Sequence, residues 1–192
     1  MTERQTIERN QRNLIVEVFW AGIFSGCVSF NAVYLIHLDG SNLLVSLLSS
    51  GAALINAIAA LPFAAFLERR ARRKPWIVGS LAVVRFGHLG LIAIPWLTNW
   101  RPEAMVLLLI VLNIPVALFI AGFLPMLADV IPLERRARVF AARNTLIGAT
   151  VMVATIVLGW WLNHAPFPLN YQLLLFTLNP VRGAAAEPAT TT

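Results

Sequence analysis

A short cationic segment between two long apolar stretches most constrains how this chain can fold. Glu68 to Lys74 reads Glu-Arg-Arg-Ala-Arg-Arg-Lys, with five cations in seven residues. Each cation would cost about 3 kcal/mol or more at the centre of a hydrocarbon layer, so the segment must lie in water. The apolar stretches on either side have the length that a helix needs to cross such a layer. The pattern therefore predicts a water-exposed connector between two membrane-spanning helices.

The composition agrees with this prediction. Hydrophobic residues make up 58% of the 192 residues, charged residues 12%, and the mean hydropathy is +0.73. A water-soluble domain carries roughly 25% charged residues on its surface. The single cysteine, Cys27, lies inside an apolar run and excludes an intrachain disulfide. We expect a lipid-embedded chain with a buried, inert thiol.

The apolar runs predict an all-α, polytopic transmembrane bundle with five complete spans and a short partial sixth. The predicted spans are 14–37, 43–67, 76–97, 104–128 and 139–162, with the partial span at 169–178. The helical domain as a whole is predicted over 14–179, preceded by a cytoplasmic tail over 1–13 and followed by a low-complexity tail over 180–192. The last run would rise only about 15 Å as a helix, half the hydrocarbon thickness.

The cations near the run ends fall almost entirely on one side of the predicted membrane. The other side receives only Arg101. The side that includes the N-terminus receives Arg4, Arg9, Arg12, Arg69, Arg70, Arg72, Arg73, Lys74, Arg135, Arg136 and Arg138. Cytoplasmic connectors are rich in Lys and Arg, so this asymmetry predicts a multi-pass protein of the plasma or inner membrane with its N-terminus in the cytoplasm. In a soluble bundle the basic residues would not be confined to every second connector along the chain.

The first basic connector resembles a signature of the major facilitator superfamily (MFS). Between the second and third runs the chain has the pattern A-x-x-x-E-R-x-A-R-R, similar to that family's G-x-x-x-D-R-x-G-R-R loop. The residues that carry the pattern are Ala64, Glu68, Arg69, Ala71, Arg72 and Arg73. Both glycines of the signature are alanine here and its aspartate is glutamate.

The second basic connector, over 128–138, resembles the family's next cytoplasmic loop. Its charged residues are Asp129, Glu134, Arg135, Arg136 and Arg138. The fourth run lacks the arginine of some proton-coupled members, and the fifth run lacks the Gly-Pro pair of the antiporters. The sequence therefore does not support proton coupling or antiport.

The resemblance implies a secondary transporter with twelve spans in two six-span halves, which holds a small solute between the halves and works by alternating access. At most one half is present here. The short sixth run and the low-complexity tail favour a fragment that needs a C-terminal half, and a second copy of the chain is the alternative partner. The resemblance also implies that the first basic connector acts as a conformational latch, whereas anchoring in the lipid headgroups is the simpler interpretation. Runs one, two, four and five would form the cavity walls, with run three peripheral.

Polar residues inside the runs are the candidates for a solute pathway or for helix pairing, because an unpaired polar group facing lipid is costly. Arg85 and His88 lie one turn apart on one face of run three, and Glu17 could pair with Arg85. The weaker candidates are Asn31, Asn56 and Asn113. We expect Arg143, near the start of run five, to extend to the cytoplasmic surface.

Small residues in the first run predict a close helix contact. Gly22-x-x-x-Gly26 is the spacing that allows two membrane helices to approach closely.

Other classes of function fit less well. The acidic residues are scattered singly, and His37, His88 and His164 have no ligand spacing, so we expect no enzyme, metal site or cofactor. The basic residues cluster in connectors, so we expect no nucleic-acid partner. The expected partners are the lipid bilayer and a small solute. A non-transporting membrane scaffold or assembly protein remains the alternative.

Overall fold

The computed structural model of the chain describes residues 3–70, 72–97, 99–131 and 133–177, with side chains outside 3–15, 127–130, 135, 176 and 177. All regular structure in this part is helical, which confirms the predicted all-α bundle. The helices are α1 (Glu3–Val28), α2 (Asn31–His37), α3 (Asn42–Glu68), α4 (Lys74–Ala93), α5 (Arg101–Val130), α6 (Leu133–His164) and α7 (Leu169–Thr177), with a 3₁₀ turn at Ile94–Trp96 after α4.

Five stretches within the described residues are long and apolar enough to cross a membrane. They are Val16–His37, Asn42–Glu68, Lys74–Trp96, Arg101–Met126 and Arg136–His164. The first combines α1 and α2, which are separated by a turn at Ser29 and Phe30. The described part of α7, Leu169–Thr177, has nine residues, which rise about 14 Å.

The outer surface of the bundle is suited to lipid. Leu43 and Leu61 of α3 are 74% and 81% exposed, and exposed leucine and isoleucine side chains continue along the same helix. A soluble monomer seldom leaves such a large apolar surface in water. In a bilayer the same side chains contact acyl chains at no hydrophobic cost.

The short turn between α2 and α3 follows from local backbone chemistry. Gly40 donates its N–H to the Leu35 carbonyl at 2.9 Å, and a Cβ at Gly40 would lie 2.7 Å from that oxygen. Only glycine allows this approach. Ser41 then caps α3, because its hydroxyl accepts the Leu44 N–H at 3.4 Å.

Helices α1 and α6 pack in parallel at the predicted small-residue positions. A Cβ at Gly22 would lie 2.6 Å from Cβ of Thr150, and a Cβ at Gly26 would lie 2.9 Å from Cβ of Ala154. The contact therefore advances by four residues on both helices in the same direction. This confirms that the Gly22-x-x-x-Gly26 pattern marks a close helix approach.

Helix α5 packs between α3 and α4 and fixes their directions. Gly87 of α4 faces Leu112, whereas Gly122 faces Ile77 of α4 and Leu67 of α3. Helices α4 and α5 are therefore antiparallel, and the end of α3, the start of α4 and the last part of α5 meet. Both basic connectors consequently lie at one end of the bundle, which we call the basic end.

The most deeply buried cluster lies at the opposite end and holds α7 in place. The rings of Tyr34 and Tyr171 stack with centroids 4.5 Å apart, and the Tyr34 hydroxyl donates to the Leu91 carbonyl at 3.1 Å. Gln172 of α7 donates to the Ile92 carbonyl at 3.3 Å. These contacts join α2, α4 and α7 across long sequence separations.

Candidate functional site

A cavity of about 460 Å³ lies within the spanning segments, with lining residues from α1 to α5. Six lining residues carry uncharged polar side chains, and nine are apolar. The polar residues are Ser25, Ser29, Asn31, Ser49, His88 and Asn113. The apolar residues are Phe24, Val28, Ala32, Leu48, Ala52, Val84, Leu109, Leu112 and Val116. We call this space the central cavity.

The break between α1 and α2 lies at the wall of the central cavity. Ser29 closes α1 by donating both its N–H and its hydroxyl to the Ser25 carbonyl, at 3.1 and 3.0 Å. The chain turns at Phe30 and resumes as α2 at Asn31. Irregular backbone at membrane depth is tolerated where it is buried in protein or lines a cavity. The break thus places the polar residues Ser29 and Asn31 at the wall of the central cavity.

His88 presents one ring nitrogen for a ligand. The residue is 6% exposed, and its ring lies edge-on to Phe24 at a centroid distance of 5.1 Å. Its Nδ1 lies 2.7 Å from the Val84 carbonyl, which can only accept, so Nδ1 carries a proton. In the neutral imidazole Nε2 is then an unprotonated acceptor.

The amide of Asn31 is the second buried polar group of the central cavity. The residue is 9% exposed and lines the cavity. Its amide atoms are not among the buried side-chain atoms that lack a hydrogen-bond partner in the described residues, so the amide is open to the cavity. The Asn31 side chain is therefore available to a molecule in the cavity.

A pair of asparagines links α3 and α5 beside the cavity. Nδ2 of Asn56 donates to the Ala52 carbonyl at 2.9 Å and to Oδ1 of Asn113 at 3.5 Å. Asn113 itself donates to the Leu109 carbonyl at 2.8 Å. This pairing between helices is the usual role of asparagine in membrane bundles.

A separate charge cluster, Glu17, Arg85 and Arg143, joins three helices nearer the basic end. Both arginines lie near enough for their charges to attract the Glu17 carboxyl. Because Phe24 faces His88, the backbone of Arg85 lies about 6 Å farther from the basic end than that of Glu17, within reach of a bent arginine side chain.

Arg143 is held by an aromatic ring as well as by charge. Its Cζ lies 5.0 Å from the ring centroid of Phe123, which adds α5 to the charge cluster. Oε2 of Glu17 and Nε of Arg143 are buried and have no hydrogen-bond partner within the described residues. Arg143 is half-buried and packs on Phe123; its extension to the cytoplasmic surface stays a prediction.

The structure divides the candidate residues between two places. Asn31, His88 and Asn113 line the central cavity, and Asn56 reaches it through Asn113. Arg85 belongs to the charge cluster and does not line the cavity, although it lies one turn from His88. The resemblance placed run three at the periphery, whereas its helix α4 contributes to the wall through His88 and Val84, which face Phe24 and α5.

Sequence reasoning missed several residues of these sites. Ser25 and Ser49 line the cavity, and Arg143 belongs to the charge cluster. A serine within an apolar run also occurs as a packing residue, so sequence alone gave it no special weight. The position of Arg143 inside an apolar run was the one available signal.

The first basic connector is anchored by an aromatic pair. Cζ of Arg70 lies 4.6 Å from the ring centroid of Phe66 and 5.3 Å from that of Trp76, one ring on each side of the turn. Glu68, Arg69 and Arg72 are exposed, Arg73 and Ala64 are half-buried, and Ala71 lies outside the described residues. The exposed charges at this position can meet lipid headgroups or a partner.

The second basic connector is held in part by a hydrogen bond from one of its side chains to its own backbone. Nε of Arg136 donates to the Ile131 carbonyl at 2.9 Å, and Glu134 and Arg138 are exposed. The side chains of Asp129 and Arg135 lie outside the described residues. No group of three or more His, Cys, Asp or Glu side chains that could hold a metal ion occurs among the residues described.

An all-helical bundle with a lipid-compatible surface, five potential spans and a polar internal cavity defines a polytopic membrane protein with room for a solute. A family profile described as Major Facilitator Superfamily matches residues 16–178, most of the chain. The chain therefore belongs to the major facilitator superfamily, a family of membrane transporters. Beyond this family match it has no significant match to an individual curated protein or to a solved structure.

Proposed function

We propose that the chain moves a small solute across the cell membrane as one half of a secondary transporter that works by alternating access. The observation that carries the proposal is the central cavity, where uncharged polar groups from α1 to α5 converge inside spans whose outer surface is apolar. Buried polar groups in lipid are costly, and a solute pathway gives them a use. Membership of the family supports the same function.

A second bundle completes the pathway in this proposal. A six-span half encloses only one side of an alternating-access route. The partner is a C-terminal half or a second copy of the chain. Glu68, Arg69 and Arg72 at the basic end then contact the partner bundle and act as the conformational latch.

A non-transporting scaffold is the competing function. A scaffold would pack the polar groups of α4 into a dry helix interface, as the charge cluster does for Arg85. His88, one turn away, lines a cavity instead. This difference favours transport.

The proposed orientation places the basic end and the N-terminus in the cytoplasm of a cell whose plasma or inner membrane holds the protein. Single-cysteine variants on a Cys27→Ser background test it: Arg72→Cys and Arg138→Cys are exposed at the basic end, and Asn99→Cys is exposed at the other. Only Asn99→Cys should react with a membrane-impermeant maleimide in intact cells. Reaction of Arg72→Cys or Arg138→Cys under the same conditions would show that the orientation is opposite to the proposed one.

Transport itself is tested in vesicles that contain the purified chain. Uptake of a panel of charged and uncharged solutes should exceed uptake by protein-free vesicles for at least one solute. His88→Phe should reduce that flux at least about tenfold, because it removes a buried polar contact. His164→Phe is the matched control, since His164 makes the same Nδ1 contact, 2.8 Å to the Trp160 carbonyl, at an exposed position. Flux equal to protein-free vesicles for every solute would reject the function.

A further inference from the structure

The central cavity contains no charged side chain among its fifteen lining residues. An ion that leaves water for this lining gains no counter-charge from the bundle, whereas a neutral molecule gives up less hydration there. This side of the pathway therefore favours a neutral solute over an ion.

The apolar part of the lining selects against strongly hydrated neutral molecules as well. Nine of the fifteen lining residues are apolar, among them Phe24, Leu109 and Leu112. A polyol has hydroxyl groups on every side and would leave several of them unpaired against these walls, each at a cost. A molecule with an apolar body and few polar groups fits the lining better.

Two buried polar residues of the lining, His88 and Asn31, can fix the orientation of that molecule. Nε2 of His88 is an acceptor, and the Asn31 amide offers both a donor and an acceptor. Asn113, in contrast, already bonds Asn56 and the Leu109 carbonyl. The solute therefore needs a hydrogen-bond donor for His88.

We propose that the central cavity binds an uncharged amphipathic solute, whose hydroxyl or amide N–H donates to Nε2 of His88 while Asn31 bonds its polar end and the apolar walls hold its body. This assignment rests on the proposed transport function and specifies its substrate class. The volume of about 460 Å³ lies within the range of small-molecule sites.

Four probes test the substrate class on the full chain in lipid nanodiscs. Three share one apolar body and differ in charge: 2-naphthaleneethanol, 2-naphthylacetate and 2-naphthylethylammonium. The fourth is xylitol, a polyol. Equilibrium dialysis against empty nanodiscs of the same lipid corrects for partitioning. The alcohol should bind saturably, at least about tenfold more tightly than the other three probes.

Variants distinguish a direct hydrogen bond to the solute from nonspecific hydrophobic binding. His88→Phe and Asn31→Leu should each weaken binding of the alcohol about tenfold or more, whereas His88→Gln, which retains an acceptor, should keep most of it. His164→Phe should bind like the unmodified chain. In ¹⁵N-histidine NMR spectra the alcohol should shift Nε2 of His88 and leave His164 in place.

The opposite results overturn the assignment. Tighter binding of a charged probe or of xylitol, absence of saturable binding by all four, or alcohol binding unchanged in both His88→Phe and Asn31→Leu would each do so. Binding requires no translocation, so a chain that binds the alcohol but shows no flux refutes transport alone. Flux of a charged solute that His88→Phe blocks refutes the substrate class alone.

Discussion

Replacement of Gly22 by alanine should weaken the contact between α1 and α6. The added Cβ would lie 2.6 Å from Cβ of Thr150 and 2.8 Å from its Cγ2. Neither atom can move without a backbone shift or a rotamer change of a β-branched residue. Gly148 on α6 is the matched control, because a Cβ there meets no atom within 4 Å.

The two substitutions should have opposite signs. Alanine is favoured over glycine inside a helix by about 0.5–1 kcal/mol, and Gly148→Ala should gain this amount. Gly22→Ala gains the same local preference but incurs about 1–3 kcal/mol of overpacking, for a net destabilisation centred on about 1 kcal/mol. The difference of about 2 kcal/mol corresponds to roughly a thirtyfold change in the ratio of folded to unfolded chain.

Reversible unfolding by SDS in mixed micelles, followed by circular dichroism, measures this difference. Thr150→Gly removes the opposing Cβ, so combining it with Gly22→Ala should give a positive coupling that restores part of the lost stability. Equal stability of Gly22→Ala and Gly148→Ala, or purely additive effects in the double variant, would refute the close contact between α1 and α6.

Three further predictions use the same unfolding assay or a simple chemical probe. Glu17→Gln should destabilise the chain by about 1–3 kcal/mol, because it removes the negative charge near the two guanidinium groups of the charge cluster. Glu68→Gln, the control at an exposed position, should change stability by less than about 0.5 kcal/mol. Equal effects of the two variants would contradict a stabilising role for the charge cluster. Tyr34→Phe loses the hydrogen bond to a buried carbonyl and should lower stability by about 1–2 kcal/mol. Tyr171→Phe removes a buried hydroxyl that has no partner among the described residues and should leave stability unchanged or raise it. A larger loss of stability in Tyr171→Phe than in Tyr34→Phe would contradict this hydrogen bonding. Cys27, 3% exposed, should react with a maleimide at least about tenfold more slowly in the folded chain than in SDS, and equal rates would show that it is not buried.

The membrane character and the helical fold could be predicted from the sequence because both depend on single segments. A run of about twenty apolar residues must form a helix in lipid whatever its neighbours are, since its backbone groups have no other partners. The cations of Glu68 to Lys74 exclude that segment from lipid for an equally local reason. The glycine spacing at Gly22 and Gly26 likewise predicted a close contact, although it did not say with which helix.

The composition of the sites depends on how helices align, which no single segment specifies. Asn31 and Asn113 line one cavity although more than eighty residues separate them, because α1, α3, α4 and α5 pack at particular rotations and depths. The same packing directs His88 toward the cavity and Arg85, one turn away, toward Glu17.

The sequence alone determined that this chain lies in lipid, how many times it can cross and which connectors carry the positive charge, because transfer free energies add along a segment. Only the tertiary structure decided which polar side chains share a cavity and which charged side chains lie near one another. The two arginines inside the runs look alike in hydropathy, and only the three-dimensional packing of α1, α4 and α6 places both charges near one carboxylate.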